Sequence, residues 1–187
     1  LHTSANAPFT ASALNTSGVQ LRDKTAASFS GSAAEAVRTY IDGQLANLAT
    51  ASQSVNQTAT PGNAGRLGRY LVDARGFEPN QVIQKGLLGA LLLDQIGNVL
   101  LTNSSLVAEN GKVVEGKLYS EREHNWDMAY GTLTSNAIMT TDIALTPRER
   151  FLAGYLNEKN GPASPGVYLA FLKGRAAIVN NDEATLK

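Results

Sequence analysis

From Ser32 onward the chain alternates between stretches of helical apolar spacing and short breaks marked by glycine and proline. Ala36, Val37, Tyr40, Ile41, Leu45, Leu48 and Ala49 recur three and four apart, which predicts a helix over residues 32 to 56. Ser32 and Glu35 have the spacing of a capping box at its start. Pro61-Gly62-Asn63-Ala64-Gly65 then opens a glycine-punctuated loop that continues to Arg75-Gly76. Pro79 suits a first helical turn, where its missing N–H costs nothing, and Val82, Ile83, Leu87, Ala90, Leu91, Ile96, Leu100 and Leu101 carry a second helix over 79 to 102. This helix is apolar nearly all round between Leu87 and Leu93, so it is expected at the centre of the domain. Gly86, Gly89 and Gly97 each cost about 1 kcal/mol relative to alanine in a helix, which predicts a second backbone packed closely against them.

Three further helices follow. Ser120 with Glu123 marks the start of one over 120 to 133, and Thr146-Pro147-Arg148-Glu149 starts another over 146 to 157. A glycine and proline turn at residues 160 to 166 precedes the fifth, over 167 to 179. Asn110-Gly111 between Ser105–Ala108 and Lys112–Val114 predicts a small hairpin. Residues 1 to 30 are rich in Ser, Thr, Asn and Ala, with one helical turn expected near 17 to 24, and read as a long polar arm. The fold class that follows is all-α: an irregular helical bundle of about five helices over 31 to 187, preceded by the arm at 1 to 30.

Composition narrows the partners. Sixteen basic and sixteen acidic residues in 187 give a net charge of zero, and no Lys/Arg run occurs, which argues against a nucleic-acid groove. The chain has no cysteine, which excludes a thiol nucleophile and cysteine zinc sites. The longest apolar run, Gly86 to Leu93, is too short for a transmembrane segment. The chain begins at Leu1 with no basic and apolar leader, so a targeting segment is expected to have been removed. Further residues are expected beyond the polar run at 180 to 183.

Candidate chemistry is concentrated in one helix. In Glu123-His124-Asn125-Trp126-Asp127-Met128, helical spacing places His124 and Asp127 on one face with Glu123 one turn away, so an imidazole and two carboxylates could converge on a divalent metal or form a His–Asp pair. The alternative is structural: His124 bonds a neighbouring helix while Trp126 and Tyr130 fill the core. Asp94 and Gln95 interrupt the most apolar helix and need partners if buried, and Arg175 is a candidate partner for Asp94. No nucleophile elbow, phosphate loop or His-Glu-x-x-His motif occurs.

Arg75-Gly76-Phe77-Glu78, Gln81 to Ala90, Leu93-Asp94-Gln95-Ile96, Glu123 to Gly131 and Gly174-Arg175-Ala176-Ala177-Ile178, in that order, resemble the bacterial DUF4856 family, a group distantly similar to the imelysins. Met128 stands where the family more often has a second acid, and the imelysin pattern Gly-x-His-x-x-Glu is matched only loosely by Arg122, His124 and Asp127, which lack both the Gly and the Glu. The resemblance implies a longer helical domain and an exported bacterial protein of the periplasm, outer membrane surface or extracellular space, often a lipoprotein, with a lipid anchor in a missing N-terminal segment. It also implies iron, haem or another metal species as ligand, with His124, Asp127 and Glu123 as the metal residues. Two other functions stay open: an interaction module of a cell-surface assembly with protein partners, and a metal-dependent, peptidase-like hydrolase.

Overall fold

The computed structural model describes residues 18–106, 110–134, 151–160 and 164–186, and they form a mostly helical protein with one small hairpin. The chain divides into two compact units, Leu1–Leu91 and Leu92–Lys187. The expected all-α class holds, and among the described residues five of the seven α-helices are longer than a single turn.

In the N-terminal unit, α1 (Leu21–Lys24) leads into α2 (Gly31–Ser52), followed by β1 (Gly65–Leu67), β2 (Tyr70–Val72) and α3 (Pro79–Leu87). The described part of the expected arm is packed, not extended. Thr25 and Ala26 are buried, and Ala26 N–H donates to the Ala90 carbonyl at 2.6 Å. Arg22 holds this segment to α2 through Glu35 and, at 2.9 Å, Asp42, while Arg38 Nε donates to the Thr25 carbonyl at 3.0 Å. Glu35 is therefore taken by a cation. The capping box expected at Ser32 does not form: α2 starts one residue earlier, with Ser30 as an N-cap that makes no side-chain bond.

The glycine-rich loop contains the antiparallel pair β1–β2, in register Gly65↔Val72, Arg66↔Leu71 and Leu67↔Tyr70. Gly68 opens the two-residue turn with φ +61°, a conformation open to glycine and strained for other residues. Gly65 is required for a different reason, since a Cβ there would lie 2.6 Å from the Gln57 carbonyl oxygen. After β2, Asp73 organises a tight turn: the N–H groups of Arg75 and Phe77 donate to its Oδ1 at 2.9 and 3.0 Å, and Arg75 Nη2 donates to Oδ2 at 2.7 Å.

The second predicted helix is continuous over its expected range, but its winding changes. After α3 the hydrogen bonds widen to π-helical over Leu88–Leu93 and Gln95–Leu100. A wider turn advances fewer degrees per residue, so the faces fall differently from those of an α-helix. Leu93 is 55% exposed and no residue of Leu88–Leu93 is buried, whereas Asp94 is 5% exposed. The expected burial of this segment is thus corrected. So is the expected close approach: a Cβ at Gly86 would touch only Ile41 Cδ1, at 3.2 Å, and at Gly89 and Gly97 it would meet nothing within 4 Å.

The C-terminal unit contains the second π-helical run, α4 (Asn103–Leu106), α5 (Glu121–Thr134), α6 (Phe151–Asn160) and α7 (Ser164–Asn180). Its core is built by Ala129, Tyr130 and Leu133 of α5, Leu152 and Ala153 of α6, and Tyr168, Phe171 and Ile178 of α7. The hairpin expected around Asn110 is replaced by the helical turn α4 and by a reversal further on, where Val114 N–H donates to the Tyr119 carbonyl and Val113 bridges Ser120. The first strand's end, at residues 107 and 108, lies outside the described residues. So does the expected start of the fourth helix at 146 to 150. The polar run after α7 closes that helix: Asn181, at φ +54°, and Asp182 return N–H bonds to the Ile178 and Ala177 carbonyls, the pattern of a Schellman cap.

Candidate functional site

The start of α5 is the best-defined polar structure in the C-terminal unit. Ser120 and Glu123 form the predicted capping box, Ser120 N–H donating to Glu123 Oε2 at 2.8 Å and Glu123 N–H to Ser120 Oγ at 3.3 Å. The other Glu123 oxygen accepts from Arg175 Nη1 at 2.9 Å, and Arg175 Nε donates to Asp127 Oδ1, also at 2.9 Å. Glu123 and Asp127, one turn apart, therefore clasp a single guanidinium from α7. The Ser120 N–H holds the Glu123 carboxyl below the ordinary glutamate value; partial burial opposes this and Arg175 reinforces it.

Beside the clasp, α5 and α7 approach through Trp126. Its indole N–H donates to the Phe171 carbonyl at 2.9 Å, and the ring meets Phe171 edge-on with centroids 5.6 Å apart. The ring lies directly over Gly174, where a Cβ would come within 2.0 Å of Trp126 Cζ2. Close approach through a glycine does occur in this protein, at α7. Phe171 also takes Tyr130 edge-on at 5.5 Å, so Trp126 and Tyr130 fill the interface as the structural alternative expected.

His124 stands apart from this group. It is exposed, and its ring stacks on Tyr119 at 4.6 Å and 11°. The structure therefore brings Glu123 and Asp127 together, but around a cation already in place. Among the described residues no group of three His, Asp or Glu side chains is arranged to hold a metal ion. The donor set does not fit iron or another divalent metal, because the Arg175 guanidinium occupies the position between the carboxylates that a cation would need. The other polar residues named from the sequence lie elsewhere. Asp94 accepts from Asn98 Nδ2 at 3.0 Å, and Arg175 reaches the carboxylates of α5. Gln95 Nε2 is buried without a hydrogen-bond partner among the described residues.

Two structural residues escaped the sequence reading. Arg122 is buried, and its Nη1 donates to Glu183 Oε1 at 2.5 Å. Its position was available in the spacing, since 122, 126, 129, 130 and 133 share one helical face. Asn110 is held where three elements meet, donating to the Ile178 carbonyl and to Asn181 Oδ1 at 2.8 Å and accepting from Ser120 Oγ at 3.3 Å. No local pattern announces such a residue.

The family model described as Domain of unknown function (DUF4856) matches residues 1–187, the whole chain. The chain belongs to the DUF4856 family. No curated protein and no solved structure matches it. In this DUF4856 domain the segments Glu123 to Gly131 and Gly174 to Ile178 meet across the α5–α7 interface. Their polar residues form the clasp and the tryptophan fills the glycine gap, so their spacing is explained by helix packing.

Proposed function

We propose that this chain is a non-catalytic interaction module of a cell-surface assembly, and that it joins a second copy of itself through the outer face of α7. The observation that carries the reading is that α7 is apolar on two sides. Tyr168, Phe171 and Ile178 are buried in the unit, while Leu169, Leu172, Ala176 and Val179 are exposed, Val179 at 60%. The exposed four are spaced three, four and three apart, a stripe about 15 Å long at 1.5 Å per residue, which suits the side of another helix. Leucines and valine in a continuous row favour burial. A second copy is the occupant the charge favours, because a net charge of zero sets no long-range repulsion between copies. The commitment of Glu123, Asp127 and Arg175 to one another supports a role without acid–base chemistry. The exported setting rests on the family resemblance alone.

Sedimentation velocity over a concentration series tests the reading. Wild-type protein is expected to form a dimer with rising concentration, and Leu172→Lys with Val179→Lys to remain monomeric with an unchanged circular-dichroism spectrum. A wild-type protein that stays monomeric throughout, or a double variant that dimerises equally well, overturns it.

A further inference from the structure

The N-terminal unit holds an open hollow of about 360 Å³ between α2 and the turn after β2, lined by Tyr40, Gln44, Arg75, Gly76 and Phe77. We infer that this hollow binds a neutral sugar ring. Two aromatic side chains border it, Tyr40 at 53% and Phe77 at 41% exposure, large apolar faces left in water. Tyr40 and Gln44 are one turn apart on α2, so both face the hollow from the same side.

Gln44 Oε1 is buried with no hydrogen-bond partner among the described residues. A buried amide atom left unpaired costs about 1–3 kcal/mol, so a turn of the Gln44 amide toward the hollow it lines, where a ligand hydroxyl can pair with it, is favoured. A hydroxyl pairs with either end of the amide, because it both donates and accepts. The opposite wall is held rigid in advance. Asp73 accepts from the N–H groups of Arg75 and Phe77 and from Arg75 Nε and Nη2, and the guanidinium sits 5.8 Å from the Phe77 ring centroid. Arg75 Nη1 makes no hydrogen bond among the described residues, so donors remain for a ligand oxygen, yet its charge is already balanced by Asp73. A balanced cation selects a neutral polar ligand over an anion.

Apolar faces for a ring, an acceptor in need of a hydroxyl, spare guanidinium donors and a shallow opening that leaves one edge in water together describe a pyranose with alternating C–H faces and hydroxyls. The site lies in the N-terminal unit and does not depend on the role proposed for α7.

The test is an NMR titration of the full ¹⁵N-labelled chain with cellotriose, maltotriose and chitotriose, and with trigalacturonate as the anionic comparison. At least one neutral trisaccharide is expected to shift the amides of residues 40–44 and 75–77, with a dissociation constant of about 1 mM or tighter. Tyr40→Ala, Phe77→Ala and Gln44→Leu are each expected to weaken binding about three- to tenfold. Tyr40 is half exposed, so its variant keeps the test sound if Phe77→Ala loses stability. The inference is overturned if no neutral sugar shifts these amides, if Tyr40→Ala binds as wild type does, or if only trigalacturonate binds.

Discussion

Replacing Gly174 by alanine sets two physical effects against each other. In a helix interior, alanine is favoured over glycine by about 1 kcal/mol, so propensity alone makes Gly174→Ala stabilising. The packing at α7 reverses the sign. The added Cβ would lie 2.0 Å from Trp126 Cζ2 and 2.3 Å from Cη2, so at least 1.4 Å of separation must be gained to reach ordinary contact at 3.4 Å. Trp126 has little room to give, because its N–H is bonded to the Phe171 carbonyl and its ring is set against Phe171. Overpacking costs about 1–3 kcal/mol and loss of the indole bond about 1 kcal/mol, so after the propensity gain a net loss of about 1–3 kcal/mol is expected. For a chain of this size that corresponds to a fall of about 2–12 °C in melting temperature. Trp126 is the sole tryptophan, so its fluorescence reports urea unfolding of the C-terminal unit directly. Gly131→Ala in α5 is the control: a Cβ there meets nothing within 4 Å, and a gain of up to about 1 kcal/mol is expected. In a Trp126→Phe background, followed by circular dichroism, Gly174→Ala is expected to cost at least about 1 kcal/mol less than in wild type. A Gly174→Ala protein as stable as wild type, or more so, refutes the close approach of α5 to α7.

Three other outcomes follow from the same unit. Glu183→Gln leaves the buried Arg122 guanidinium without its carboxylate and is expected to cost about 1–3 kcal/mol, whereas adding Arg122→Met recovers most of the loss; equal stability of Glu183→Gln and wild type would show the pair to be inert. The Glu123 carboxyl is held below its ordinary 4.5, so its contribution to stability is full above that pH and is lost as pH falls through the lower folded value. Urea unfolding across that acid range is expected to show the loss in wild type and a shallower one in Glu123→Gln; parallel curves would remove Glu123 from the clasp. His124→Ala, at an exposed position, is expected to change stability by less than about 0.5 kcal/mol and to leave calorimetric titrations with Fe²⁺ and Zn²⁺ the same as wild type; a heat seen in wild type and absent from the variant would restore the metal reading.

The elements found from sequence were those whose signals are local. The capping box at Ser120 and Glu123 sits at the start of α5, and the apolar spacing of α2 and α7 placed both helices to within a few residues. The same box at Ser32 failed because its glutamate has a stronger partner, Arg22, thirteen residues earlier. The hairpin β1–β2 was hidden because its strands are three residues each, too short for alternation to register, and because glycine serves there both as a turn residue and as the only residue that fits beside Gln57. The π-helical winding left no mark, since apolar spacing in a run of leucines fits several helical periods equally well. Glycine spacing pointed to a close backbone approach in the leucine-rich run, where none forms; the gap lies in α7, at Gly174, and a tryptophan side chain fills it.

The cluster at His124 shows why residue type and spacing alone misjudge chemistry. Glu123 and Asp127 at a separation of four repel one another, at a cost of about 0.2–0.5 kcal/mol in an isolated helix. Such a pair persists when something of opposite charge stands between the two, and a metal ion and a guanidinium satisfy that condition equally. What separates them is sequence distance: Arg175 lies 48 residues beyond Asp127, on a helix whose approach depends on the glycine beside it. The gap at Gly174 lets Trp126 close on α7, and the adjacent residue then delivers its guanidinium to both acids. Packing thus decides the identity of the cation, and the carboxylates that suggested a metal are the anchor of a helix pair.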